Sequence, residues 1–261
     1  MQDPLPPSRD EIDHAIRRAA ALIRKSSYAV VLSGAGISAE SGIPIYRGAN
    51  GIWTRQGEPT IDGWELFNTD PERWWRLAVD HGDSELSRAI ASALPNAAHV
   101  GLADLEQLGL LQHVITQNID NLHQRAGTRR ITEIHGNRLK VRCMNCGGRD
   151  RLETISLDRM PPLCPECGGI LKTDVVMFGE PVPEDALRES YRQAASADLF
   201  LVIGTSGVVY PAAEFPIMAK RHGAPLIEIN PFETNLSEVA DVIIRANAGE
   251  AVPAIVDILR R

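Results

Sequence analysis

Five short apolar runs constrain this chain most, because each stops at a polar or glycine-rich turn. Tyr28–Leu32 runs into Ser33-Gly34-Ala35-Gly36, Leu111–Thr116 into Gln117-Asn118-Ile119-Asp120, and Ile131–Ile134 into His135-Gly136. Asp198–Ile203 ends at Gly204-Thr205-Ser206 and Leu226–Ile229 at Asn230-Pro231, with a last short run at Val239–Ile244. Runs this short are strand-sized, and runs this apolar belong to strands covered on both faces. Between them, apolar residues recur at helical spacing, as in Ile12, Ala15, Ile16, Ala19, Ala20 and Ile23, with Ser8 or Asp10 as the cap. Residues 70–94, 96–108, 211–222 and 252–259 read as further helices. The alternation predicts an α/β fold built on a doubly wound parallel sheet. Ligands of such sheets bind outside the carboxyl ends of the strands, where the polar motifs of this chain fall.

Gly34-x-Gly36-x-x-Ala39 follows the first strand and fits a dinucleotide-binding turn. One glycine permits the tight turn, the next lets backbone approach a pyrophosphate, and the following helix start favours negative charge. A plain strand-to-helix turn is the competing reading. A dehydrogenase would place an acid on the ribose about 20 residues further on. Here that region is a loop with Pro44, Gly48, Gly51, Gly57, Pro59 and Gly63, so a hydride-transfer layout is not expected.

Cys143-x-x-Cys146 and Cys164-x-x-Cys167 form two knuckles, each followed by two glycines. This is the four-thiolate zinc pattern. Four thiolates close the coordination sphere, so the expected ion is structural.

His135 titrates near neutrality and can act as a general base. Asn118 can orient a water or hydroxyl, and Asp120 can accept from an amide; an Asx turn is the alternative for both. His99 is expected to pack or cap at its helix start, and His123 has no assigned task.

The chain has 261 residues, 44% apolar and 23% charged, and a formal net charge of −7 from 27 basic and 34 acidic residues. The acidic balance argues against nucleic acid as a partner. Arg129, Arg130, Arg138, Lys140 and Arg142 could form a local basic patch, but a solvated face is the preferred reading. No apolar run has the length of a membrane span and no secretory signal is recognisable, so the expected location is cytoplasmic. The sequence assigns no oligomeric state.

Taken together, these motifs resemble the sirtuin family, of the bacterial or archaeal type. The matching stretches are Gly34-Ala-Gly-Ile-Ser-Ala-Glu-Ser-Gly-Ile-Pro44, Tyr46-Arg47-Gly48, Thr116-Gln-Asn-Ile-Asp-Asn-Leu-His123, His135-Gly136, both cysteine pairs, Val175-Val-Met-Phe-Gly-Glu180, Gly204-Thr-Ser206 and Ile229-Asn-Pro231. The resemblance implies a Rossmann-like NAD-binding domain from residues 10–46, 95–138 and 174–261. It implies a helical insert with a cofactor-binding loop at 47–94 and a zinc ribbon at 139–173. Gly34, Ala35, Gly36, Ile37, Tyr46, Arg47, Gly204, Thr205, Ser206, Asn230 and Ala248 would lie along NAD, with Gln117, Asn118, Ile119 and Asp120 around its ribose and nicotinamide. Val176, Met177, Phe178 and Gly179 would form the strand to which an acyl-lysine peptide adds.

The implied activity is NAD-dependent protein-lysine deacylation, with nicotinamide and O-acyl-ADP-ribose as products. In it the acyl oxygen attacks C1′ of the ribose, and His135 then acts as base on the ribose hydroxyls. Protein ADP-ribosyl transfer or NAD hydrolysis from the same site is the second reading, and a non-catalytic NAD sensor the third. Two departures stand out. Ile45-Tyr46 replaces the frequent Asp-Phe pair, and no Tyr-x-x-Arg, which reads acidic acyl chains in one subgroup, lies between residues 50 and 80. Trp64, Phe67 and Trp74 are there instead, and a neutral or long acyl group is the expected preference.

Overall fold

The computed structural model describes residues 7–46, 51–57, 62–80 and 84–261. Its helices are α1 (Arg9–Lys25), α2 (Ile52–Gln56), α3 (Asp62–Thr69), α4 (Pro71–Asp80), α5 (Glu85–Ser92), α6 (Ala97–Gln107), α7 (Leu122–Ala126), α8 (Glu184–Ser196), α9 (Glu214–Arg221) and α10 (Ala248–Leu259). Its strands are β1 (Ala29–Ser33), β2 (His113–Thr116), β3 (Ile131–Glu133), β4 (Lys140–Cys143), β5 (Arg149–Arg151), β6 (Leu171–Thr173), β7 (Leu199–Ile203), β8 (Leu226–Ile229) and β9 (Val242–Ile244). The strands expected at 239–244 and 111–116 are shorter than their apolar runs, because Val239 ends a 3-10 turn and Leu111 precedes the ladder.

Six strands form one parallel sheet in the order β3-β2-β1-β7-β8-β9. Strand alternation divides each apolar run between two cores. On one face Val31, Leu201 and Ile203 pack with Ile16, Ile23, Leu102, Val252 and Ile255 of α1, α6 and α10. On the other, Val30, Leu32, Phe200 and Val202 pack with Ala194 of α8 and Phe215 of α9. This is why the central runs of β1 and β7 are apolar on both faces. Ser8 caps α1 in a reciprocal capping box with Glu11, and Asn96 caps α6 with His99 at the third helical position.

β4, β5 and β6 form a separate antiparallel sheet that carries the four cysteines. The helical stretch expected at 70–94 divides between two neighbours. Phe67, Trp74 and Trp75 of α3 and α4 share a core with Val141, Cys143, Cys164 and Leu171 of the cysteine-bearing sheet. Trp75 is buried, and its indole N–H donates to Leu171 O at 2.8 Å. In α5, begun afresh by Ser84 as its cap, Ile90 instead packs with Ile43 and Leu122.

Members of the basic cluster have individual partners. Arg130 pairs with Glu106 and Lys140 with Glu133, while Arg138 donates to Ser87 O. Arg142 is buried against Glu180, so the solvated-face reading fails for it. It alternates with Val141 and Cys143, which face the aromatic core, so it points to the other face of β4, where Glu180 and Asp174 receive the guanidinium. Among the described residues, no helix is long and apolar enough to cross a membrane.

Trp75→Ala is expected to cost about 3–5 kcal/mol, the range for emptying a large aromatic site in a packed core. Denaturant unfolding would measure it. A loss below about 1 kcal/mol would show that α4 and β6 do not stabilise each other through this side chain.

Candidate active site

The site grows from the contact between two turns at the carboxyl ends of β1 and β7. Gly34 N donates to Ile203 O at 3.0 Å and Gly36 N to Gly204 O at 2.8 Å. A Cβ on Gly36 would lie 2.7 Å from Gly204 Cα, and one on Gly204, at φ +62°, would lie 2.4 Å from Ile37 N. The glycines therefore have a purely structural requirement, the backbone approach of two strand ends. These are the central strands, where the chain order of the sheet reverses and a crevice opens.

The residues after β2 fasten to this contact. Gln117 Nε2 donates to Thr205 Oγ1 at 2.9 Å, and Asn118 Nδ2 donates to Gly34 O and to Ser38 Oγ at 3.2 and 3.0 Å. Asp120 is buried; its Oδ2 accepts from Ser38 Oγ at 2.7 Å and its Oδ1 from Leu122 N at 2.9 Å. Ile119 packs against the Ile43, Ile90 and Leu122 cluster. On the β8 side, Asn230 Nδ2 donates to Thr205 O at 3.2 Å, and Asn235 N donates to Ser206 O at 3.3 Å.

Ser38 is the junction that motif reading missed. Asn96 N–H donates to His99 Nδ1 at 3.3 Å, so the neutral ring carries its proton on Nε2 and donates to Ser38 Oγ at 3.4 Å. Ser38 then passes its own proton toward Asp120. A parallel chain runs behind it: His123 Nε2 donates to Ser33 Oγ at 2.9 Å, and Ser33 donates to Thr116 Oγ1 at 2.8 Å. Nδ1 of His123 is then a bare lone pair, and it is one of two buried side-chain atoms without a hydrogen-bond partner among the described residues. The His99 and His123 rings meet edge to face at 4.9 Å. Burial lowers the pKa of His99 to about 4, against the opposing charge of Asp120, and that of His123 to about 3. Burial likewise lowers His113, bonded to Thr132, to about 4.

His135 sits beside Gln117, and its Nδ1 is 3.2 Å from Gln117 O. A carbonyl only accepts, so Nδ1 bears the proton and Nε2 the lone pair. Burial pushes its pKa below the ordinary value, partly offset by this bond. Gly136 follows at φ +75°, where a Cβ would lie 1.9 Å from Asp174 O. That approach brings residues 174–179 against the histidine, and Val176 N donates to His135 O at 3.0 Å.

Other expected site residues differ in what they present. Ile37 and Ala248 are buried in the core of the α1, α6 and α10 face, so only their backbone remains for a ligand. Arg47 lies outside the described residues. Val176 to Gly179 is not a strand: no ladder partner flanks it, and Met177 O accepts from Glu180 N in a turn. Trp64, Phe67 and Trp74, read as substrate-side aromatics, pack instead against the cysteine-bearing sheet. The aromatic surface beside the site is Tyr46, Trp53 and Phe178, with ring centroids 4.9 and 5.4 Å apart in succession. Tyr46 is held neutral to higher pH by burial, reinforced by the charge of Asp120.

The four cysteine sulfurs all lie within 4.8 Å of one another. Cys143 and Cys167 are 3.5 Å apart, and Cys146 and Cys164 are 3.9 Å apart. Bonds of about 2.3 Å to a tetrahedral zinc require sulfur spacings of about 3.8 Å, so the cage fits that ion. Backbone N–H groups of Asn145 and Cys146 point at Cys143 Sγ, both at 3.4 Å.

Comparison with known proteins agrees with this geometry. The Sir2 family model matches residues 34–211. An NAD-dependent protein deacylase of Thermococcus kodakarensis is 44% identical over 249 residues, covering 93% of this chain and 94% of that protein. NAD-dependent protein deacylase 2 of Pyrobaculum aerophilum is 44% identical over 245 residues, covering 92% and 94%. Among solved structures, a mutant Sir2 homologue in complex with ADP-ribose superposes with a TM-score of 0.79 at 39% identity, covering 93% and 96%. A Sir2–p53 peptide–NAD+ complex gives 0.76 at 36% identity, covering 93% and 98%.

Two outcomes follow for stability. His99, His113 and His123 stay neutral when folded at pH values where an unfolded histidine, with pKa about 6.5, takes a proton. The unfolded chain then binds more protons, so stability is full above about pH 6.5 and falls toward about pH 4. Thermal unfolding should show a lower Tm at pH 5 than at pH 7.5; an equal or higher value at pH 5 would contradict the buried neutral assignments. Zinc removal by a chelator should release the shared core and change the emission of Trp64, Trp74 and Trp75, as read by tryptophan fluorescence.

Proposed function

This chain belongs to the Sir2 family, and we infer from that membership that it is an NAD-dependent protein deacylase. Its substrates are NAD+ and acylated lysine in a protein or peptide. NAD+ is consumed and supplies the ribose carbon that receives the acyl oxygen. The observation that carries the residue assignments is the His135–Gln117 bond, which leaves the lone pair of the ring on Nε2. A base in that tautomer can take a proton from a ribose hydroxyl without first losing its own.

The other groups divide the remaining tasks. Asn118 spends Nδ2 on Gly34 O and Ser38 Oγ, so it offers a ligand its Oδ1. Asp120, gripped by Ser38 and Leu122 N, faces the carboxamide as a fixed acceptor. The turns at Gly34–Gly36 and Gly204–Ser206 receive the diphosphate and ribose through backbone groups, with Asn230 and the backbone of Ala248 on the adenosine side. Cys143, Cys146, Cys164 and Cys167 hold a zinc ion with no open position, so it supplies structure to the cysteine-bearing sheet and takes no part in bond making. Tyr46, Trp53 and Phe178 offer an apolar wall, and Ile45 adds no charge. A carboxylate-bearing acyl chain would be desolvated against these rings, so neutral acyl groups are the preferred class.

His135→Ala should lose deacylation by roughly 10²–10⁴-fold, the usual worth of a positioned base, while keeping its Tm within a few degrees. O-Acyl-ADP-ribose formation is the readout, and near-wild-type turnover would remove the base assignment. The acid limb of the kcat/KM profile of the wild-type enzyme should fall below pH 6.5, because the base is active when neutral and burial lowers its pKa. Across acetyl-, succinyl- and myristoyl-lysine peptides, succinyl should be the poorest; succinyl as the best would refute the neutral preference.

A further inference from the structure

Beneath the segment at 175–179 lies a buried ionic group that the reaction does not use. Lys172 of β6 has 0% and Glu180 1% of its side chain exposed, and Lys172 Nζ lies 3.0 Å from Glu180 Oε2. Arg142 of β4 donates to Glu180 Oε1 at 2.5 Å, and its Nε lies 3.9 Å from Asp174 Oδ1. Arg149 lies nearer to Asp174 Oδ1, at 3.0 Å, and also pairs with Asp185 at 2.7 Å, so three cations face three anions with no net charge.

Such a group is weak evidence for stability. Stripping the charges of water costs about as much as their attraction returns, and apolar side chains of the same volume often serve as well. What apolar side chains cannot do is aim hydrogen bonds. Lys172 Nζ donates to Val175 O at 2.6 Å, and Glu180 Oε2 accepts from Met177 N at 3.0 Å. Both bonds grip the backbone on either side of Val176, whose own N–H is held by His135 O. Residues 175–177 belong to no ladder, yet one backbone group of each is fixed by a group outside the segment. Backbone without a ladder partner, bordered by the half-exposed Phe178, can take an added strand, and the Val176 carbonyl is not among the three bonded groups.

We propose that Lys172 and Glu180 are positioning residues: through Val175 O and Met177 N they hold residues 175–177 in place beside His135, with the Val176 carbonyl left to pair with the peptide that carries the acyl-lysine. The inference rests on the deacylase reading. It assigns the ionic group to peptide binding and leaves NAD binding independent of it.

The test is steady-state kinetics of Glu180→Gln and of the double variant Lys172→Met/Glu180→Gln, with zinc content and Tm measured alongside. The double variant keeps the volumes and leaves no surplus buried cation, so it guards against a single variant that fails to fold. The expected result is a rise of about tenfold in KM for an acetyl-lysine peptide, with KM for NAD+ within about twofold and zinc retained. Lys172→Arg, which keeps a cation and donors, should recover part of the peptide KM relative to Lys172→Met. A folded, zinc-loaded double variant with an unchanged peptide KM overturns the proposal. So does an equal rise in both KM values, or a double variant that cannot fold, since either makes the group a general structural requirement. Wild-type protein that forms no O-acyl-ADP-ribose refutes the deacylase reading itself, a result separate from all of these.

Discussion

The backbone contact between the Gly34–Gly36 turn and Gly204 is the constraint on which the site depends. Two parallel strands end side by side, and their turns approach too closely for any Cβ. From this contact the rest is hung: Asn118 on Gly34 O, Gln117 and Asn230 on Thr205, and Ser38 one turn further on. The crevice is thus defined by main chain, which varies little in position, and the side chains that meet a ligand are tied to it. Preorganised polar groups of this kind need little rearrangement when charge develops in a reaction.

The same crevice has two supports of opposite electrical character. Behind Asp120 the support is neutral: histidines with depressed pKa values pass hydrogen bonds in one direction through serines. Beneath residues 175–177 the support is ionic, with Lys172, Arg142 and Arg149 matched in charge by Glu180, Asp174 and Asp185. A neutral relay beside Asp120 leaves its negative charge uncancelled. An ionic support kept on the far side of His135 grips backbone instead of ligand.

Much of this was legible in the chain itself. The strands announced themselves because they are covered on both faces, and the strand-end motifs because each follows such a run. Strand order was not legible, since it is set by crossovers. Ser38 and His99 were hard to see because their partners lie 82 and 61 residues apart in the chain. Trp64, Phe67 and Trp74 stand where the acyl-reading Tyr-x-x-Arg is missing, and an aromatic reads alike in a core or at a ligand. Only the packing of α3 and α4 against β6 decides between them. Val176 and Met177 have the composition of a strand but no neighbour to pair with. Arg142 reads as part of a basic surface run until Glu180 and Asp174, far along the chain, are seen to face it.

Trp75 has a further consequence for how the chain is born. Its indole partner, Leu171 O, is 96 residues downstream. During synthesis α3 and α4 leave the ribosome with Phe67, Trp74 and Trp75 already in place but with nothing to cover them. The core that accepts them exists only once Leu171 has emerged and the four sulfurs, the last of them Cys167, are able to gather. Supply of the metal then sets how long an aromatic surface stays exposed on the nascent chain. The ribbon therefore governs the yield of native protein as well as its stability, and scarcity of zinc would be felt first as aggregation of new chains and only later as loss of mature ones.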